Sequence, residues 1–133
     1  MLLLLGALFA ATPSADSVVG KWKTETKNAV VQISKCGGSI CGTLLTSDDI
    51  ARNPGMTDSK NPNAALKSKP LKGSTMLSGF SRSGDTWDNG KVYKADEGKT
   101  YTGRITPIDA NHIKLRGCVF VPLCKTQTWT RVN

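Results

Sequence analysis

Four cysteines are the first residues whose type and spacing could do chemistry: Cys36 and Cys41 in "KCGGSICG", and Cys118 and Cys124 in "RGCVFVPLCKTQTWTRVN". Such sulfur pairs serve as metal ligands, redox couples or disulfides. A structural zinc site gathers four closely spaced Cys or His ligands, whereas these pairs lie in distant parts of the chain and His112 is the only histidine. A thioredoxin-like couple needs two residues between its cysteines, and neither pair has that spacing. Disulfides are the better reading. Of the three pairings that four cysteines allow, the local one is favoured, Cys36 with Cys41 and Cys118 with Cys124. Each bridge would close a small loop and contribute about 2 kcal/mol through the entropy of the unfolded chain. A bridge from Cys41 to Cys118 is the alternative.

Other chemistry finds little support. Nucleophilic catalysis needs a base beside a Ser, Cys or Thr, and His112 alternates onto the polar face of its segment next to Lys114. The paired carboxylates Asp48 with Asp49 and Asp96 with Glu97 sit in turn-like sequence, where acids are usually solvated turn residues. "DNGKVYKADEG" lacks the alternating oxygen ligands of a calcium loop, and no phosphate-binding glycine motif occurs. No catalytic residue, metal site or cofactor is assigned. The expectation is a protein that is not an enzyme, with a site assembled from Asp, Lys and Tyr across strands as the enzymatic alternative.

The elements that must position these residues start after residue 15. The opening "MLLLLGALFAATPSADS" has an unbroken apolar run from Leu2 to Ala11 and no charge before Asp16. It is too short to span a bilayer and fits the apolar region of a secretory signal peptide. Residues 1–15 are therefore expected to be removed, leaving no transmembrane segment, and the protein is expected in the periplasm or outside the cell, where disulfides persist.

Residues 16–133 are expected to form one domain. Short runs rich in Val, Ile, Thr, Tyr and Trp recur between turn residues, the pattern of an all-β protein. Strands are predicted at 18–24, 29–35, 39–45, 74–80, 90–94, 99–106, 112–118 and 125–132. In "HIKLRG", Ile113 and Leu115 share one face and His112, Lys114 and Arg116 the other. The inward face of the last strand is not decided by its sequence. Eight antiparallel strands joined in order predict a small up-and-down β-barrel, which leaves no exposed edge; a β-sandwich is the alternative. The segment 46–73 holds three prolines and no strand-like run, so it is expected as a long loop, with one helical turn near 63–69 capped by Asn61.

An ordered set of short motifs resembles a known family. "GKW" at 20–22, "CGGSICG" at 36–42, "DSKNPN" at 58–63, "KPLKG" at 69–73, "WDNGKVYKADEGKTY" at 87–101, "LRGC" at 115–118 and "LCKTQTWTR" at 123–131 resemble the exported bacterial proteins grouped as domain of unknown function 2147. Lys94 and Ala95 depart from the family pattern, which more often has an acidic or amide residue followed by proline. The resemblance implies an envelope or secreted location and no particular reaction. A looser likeness, Gly20 and Trp22 in the first strand with Arg131 in the last, is similar to the signature of lipocalins and other calycins. It implies that Arg131 packs across Trp22 and closes one end of the barrel, a structural role.

Charge supplies the remaining clue. The chain carries 18 basic and 10 acidic residues, net +8, with Lys60, Lys67, Lys69 and Lys72 forming an acid-free run in the long loop. Such a field attracts anionic partners. Nucleic acid is a poor match for an exported chain without interleaved aromatic and basic residues. Two functional expectations lead. The first is a barrel binding a small apolar or amphipathic ligand, with Leu44, Met76, Leu77, Phe80, Tyr93 and Tyr101 as lining candidates. The second is a basic envelope module that holds anionic lipid, lipopolysaccharide, wall polymer or a protein partner without an internal ligand.

Overall fold

The computed structural model describes residues 13–132; the expected signal segment lies almost wholly outside them. Nine strands follow in order: β1 (Gly20–Lys23), β2 (Val30–Cys36), β3 (Ser39–Thr46), β4 (Thr75–Ser78), β5 (Ser81–Ser83), β6 (Thr86–Lys94), β7 (Lys99–Asp109), β8 (His112–Phe120) and β9 (Leu123–Val132). All pair antiparallel in the order β4-β3-β2-β1-β9-β8-β7-β6, and β4 pairs with β6 through Leu77 opposite Val92, which closes the cylinder. The result is an eight-stranded barrel rather than a sandwich. β5 pairs with β6 outside that closed ring.

Period-two alternation builds the interior. Val31 and Ile33 of β2, Ile40 and Leu44 of β3, Ile105 of β7, and Ile113 and Leu115 of β8 are all buried, as a pleated strand with one face on a core requires. Register settles β9. Trp129 lies opposite Ile113, so Gln127, Trp129 and Arg131 take the inward face, and Trp129 is buried. Polar Thr126, Thr128 and Thr130 face out and are exposed.

Several predicted boundaries need correction. The first strand starts at Gly20, because Ala15–Val18 form a single 3-10 turn whose Ala15 and Val18 are buried against the strands. β5 and the first half of β6 lie outside the predicted strands, since "SRSGD" carries no apolar residue to alternate; Thr86 Oγ1 donates to the Ser83 carbonyl at 2.9 Å and ties that hairpin. Within 46–73 a short helix, α1 (Asp48–Arg52), is capped by Ser47, whose hydroxyl accepts from the Ile50 amide at 3.2 Å. The later helical turn is a 3-10 turn at Ala64–Leu66 capped by Asn63, not Asn61. Asn61 is occupied elsewhere: its Nδ2 donates to Asp58 and its Oδ1 accepts from the Asn63 amide.

Both disulfides are local, Cys36–Cys41 across the β2–β3 hairpin and Cys118–Cys124 across the β8–β9 hairpin. These hairpins lie at opposite ends of the barrel, because each successive antiparallel strand reverses direction.

Candidate functional site

One end of the barrel is plugged. Trp22, fully buried, donates its indole N–H to the Val18 carbonyl at 2.8 Å. Trp87 donates likewise to the Ala15 carbonyl at 2.8 Å. The 3-10 turn thus lies across the barrel's base, held by two indoles. Arg131 completes the closure. Its guanidinium carbon sits 4.3 Å from the centroid of the Trp22 ring, and it donates to the carbonyls of Ser17 at 2.7 Å, Val19 at 3.1 Å and Ala110 at 2.7 Å. A planar guanidinium can stack on an indole and still use its edge donors. Gly20 makes room for this: its φ is +143° and a Cβ there would collide with the Arg131 guanidinium.

The other end opens. A cavity of about 400 Å³ lies between the β1–β2, β6–β7 and β8–β9 turns and the long loop. Its walls are apolar, from Ala29, Leu44, Met76, Val92, Leu115 and Trp129, and the loop adds Met56 and Leu71. Lys60, Lys94 and Lys125 stand at the rim with Asp49 and Asp96. Lys60 donates to the Asp96 carbonyl at 2.7 Å, Lys94 lies 3.4 Å from Glu97, and Lys27 pairs with Asp49 at 3.0 Å. The polar atoms within the walls are matched: Trp129 donates to Gln127 Oε1 at 2.8 Å, and Gln127 donates to Thr26 Oγ1 at 3.2 Å.

The loop is fastened over the outer wall by a cluster centred on Asp58. Tyr93 donates its hydroxyl to Asp58 Oδ1 at 2.6 Å and Asn61 donates to Oδ2 at 2.8 Å. Asp58 and Asn61 are buried, which is tolerable because the carboxylate is hydrogen-bonded on both oxygens. Burial, reinforced by the Asp58 carboxylate, pushes the Tyr93 phenol up to about 12.

Of the six predicted lining residues, Leu44, Met76 and Tyr101 reach the cavity. Leu77 and Phe80 are instead packed into the core, Leu77 against Gly42 and Phe80 over Gly90; they are filling, not lining. Tyr93 is on the outer face, one residue out of phase with inward Val92, and serves the loop. Among the predicted basic loop residues, Lys60 reaches the rim, while Lys67, Lys69 and Lys72 are exposed to solvent. Sequence reasoning missed Lys94, Lys125 and Trp129. Lys125 and Trp129 follow from the inward phase of β9, and only the β8 register reveals that phase.

The remaining chemical candidates lie away from the cavity. His112 is near the plugged end, partly exposed, with Nδ1 2.8 Å from Asp109 Oδ1. Among the described residues no group of three or more His, Cys, Asp or Glu side chains could hold a metal ion, and no helix is long and apolar enough to cross a membrane.

A closed antiparallel eight-stranded barrel, plugged at one end by a Trp–Arg stack and open at the other onto an apolar cavity, is a lipocalin-like calyx. The chain belongs to the family of uncharacterized proteins conserved in bacteria known as DUF2147, whose model matches residues 20–131. Its barrel is similar to the solved structure of HP1028 from Helicobacter pylori, described as belonging to the lipocalin family. That likeness has a TM-score of 0.78 at 24% identity, over 87% of this chain and 83% of that one. A search of curated proteins gives no match.

Proposed function

We propose that this protein is a binding calyx of the bacterial envelope, which holds a small apolar or amphipathic ligand in its open end rather than catalysing a reaction. The apolar part of the ligand lies against Leu44, Met76, Val92, Leu115 and Trp129, and a polar or acidic end meets Lys60, Lys94 and Lys125. The observation that carries this reading is the 400 Å³ cavity with apolar walls and a charged rim, a size and lining suited to small molecules. An envelope location is supported by the apolar run from Leu2 to Ala11.

Gly117 offers a clean test. It lines the cavity, and a Cβ placed there would meet only Tyr101 Cβ, at an ordinary 3.6 Å. Gly117→Leu therefore projects a side chain into the cavity without crowding the backbone. Titration with the apolar fluorophore N-phenyl-1-naphthylamine is expected to show binding by the parent and affinity reduced at least about tenfold in the variant, with an unchanged circular dichroism spectrum. A parent that takes up no probe, or a variant that binds it equally well, overturns the proposal.

A further inference from the structure

The β8–β9 hairpin ends in five consecutive apolar residues, Val119, Phe120, Val121, Pro122 and Leu123. Four of them are large and exposed: Val119 at 61%, Phe120 at 62%, Val121 at 75% and Leu123 at 57%. Pairing of β8 with β7 stops where Cys118 lies opposite Thr102. Beyond that point the tip is held by its own Phe120–Leu123 pairing and by the Cys118–Cys124 bridge. The barrel's core is complete without these side chains, yet they form the densest exposed apolar surface of the described residues. Concentrated exposed apolar surface marks an interaction site.

Charge and shape choose the occupant. From Lys99 to the end of the chain stand six Lys or Arg residues and one acid, Asp109. Asp109 and Arg131 both belong to the plugged end, and Asp88, which lies beside Val119–Val121, is paired with Arg104. Near the tip, Lys125 directly follows the bridge and Arg116 Nη2 lies 3.4 Å from Cys124 Sγ. The acids of the adjacent β6–β7 turn are partly committed, Glu97 to Tyr101 and Lys94. A convex tip of five residues offers far less than the roughly 800 Å² per partner of a standard protein interface, so a second copy is a poor fit. An apolar tip with cations at its shoulders suits a lipid surface, where the tip enters the acyl boundary and the cations stay with the phosphates.

We propose that Val119–Leu123 anchors the open end of the barrel on an anionic lipid bilayer. The docking stands independently of what the cavity holds. In co-sedimentation, the protein is expected to bind vesicles of phosphatidylcholine and phosphatidylglycerol in equal parts much better than vesicles of phosphatidylcholine alone, and to release them as salt screens the attraction. The double substitution Phe120→Ser with Val121→Ser is expected to weaken binding at least about tenfold, with N-phenyl-1-naphthylamine uptake unchanged. A second readout is Phe120→Trp. The three native tryptophans are buried, although Trp129 lines the cavity, so a blue shift on adding anionic vesicles that the parent does not show reports entry of the tip. The proposal is overturned if the parent binds neither vesicle, if the double variant binds as well as the parent, or if sedimentation velocity shows a tip-dependent dimer that ignores vesicles.

Discussion

Asp58 is a carboxylate taken almost wholly out of water, and its two oxygens are served by different parts of the chain, Tyr93 from β6 and Asn61 from the loop itself. The backbone adds a third tie, from the Asp58 amide to the Lys69 carbonyl at 2.9 Å. The motif "DSKNPN" is thus a clasp for the long loop. Tyr93→Phe leaves Asp58 Oδ1 without its donor and is expected to cost about 1–3 kcal/mol, read by urea unfolding, with faster amide exchange in residues 57–70. The sign with pH follows from linkage. The phenol's pKa is raised on folding, from 10.0 to about 12, so its contribution is full below pH 10 and is lost as pH rises through 12. The parent is expected to lose stability over that window more steeply than Tyr93→Phe. Equal slopes would remove Tyr93 from the clasp. None of this is legible in the sequence. A Tyr in an apolar run reads as lining, and only its phase relative to Val92 assigns it to the outer wall.

At the scale of elements, β6 carries a sharp packing constraint. Its pairing with β7 shifts between Trp87 and Gly90, and Asn89 takes a φ of +53°, so a bulge re-aims the strand. Gly90 then lies under the Phe80 ring, where a Cβ would overlap the ring atoms. Gly90→Ala is expected to destabilise by about 1–3 kcal/mol, the usual cost of overpacking a filled core, and thermal unfolding checks it; an unchanged midpoint would mean that Phe80 moves freely. The strands with apolar alternation were readable, β8 above all. β5 was not, because all three of its residues are exposed and pairing with β6, rather than burial, holds it.

For the whole molecule, a set of surface carboxylates links neighbouring elements. Asp16 is held below the usual carboxylate range by its hydrogen bond from Lys35, which ties the basal 3-10 turn to β2. Lys27 does the same to Asp49 and ties α1 to the β1–β2 turn. Arg104 lowers Asp88 across β6 and β7. Tyr101 lowers Glu97, and the Asn111 amide lowers Asp109. Carboxyls lowered on folding contribute stability that is present above their unfolded values near 4 and is lost as pH falls through the lower folded values. The urea midpoint is therefore expected to hold from pH 7 to about 5 and then decline toward pH 2. A midpoint that rises on acidification would show that these lowered carboxylates do not govern the pH dependence, since protonating them also increases the net positive charge.

What the sequence determined by itself was local: the all-β class, most strand positions and the favoured hairpin-closing disulfide pairing. Each depends on residues near one another in the chain, or on a pattern repeated along one strand. Tertiary structure alone decided which apolar residues fill the barrel and which line its cavity. Leu77 and Leu44 are the same residue type, yet one packs on Gly42 and the other faces the open end. That distinction comes from strand register and from height along the barrel axis, set by pairing between segments distant in sequence. The exposed tip at Val119–Leu123 was decided the same way: an apolar run reads as core until its strand is seen to outrun its neighbour.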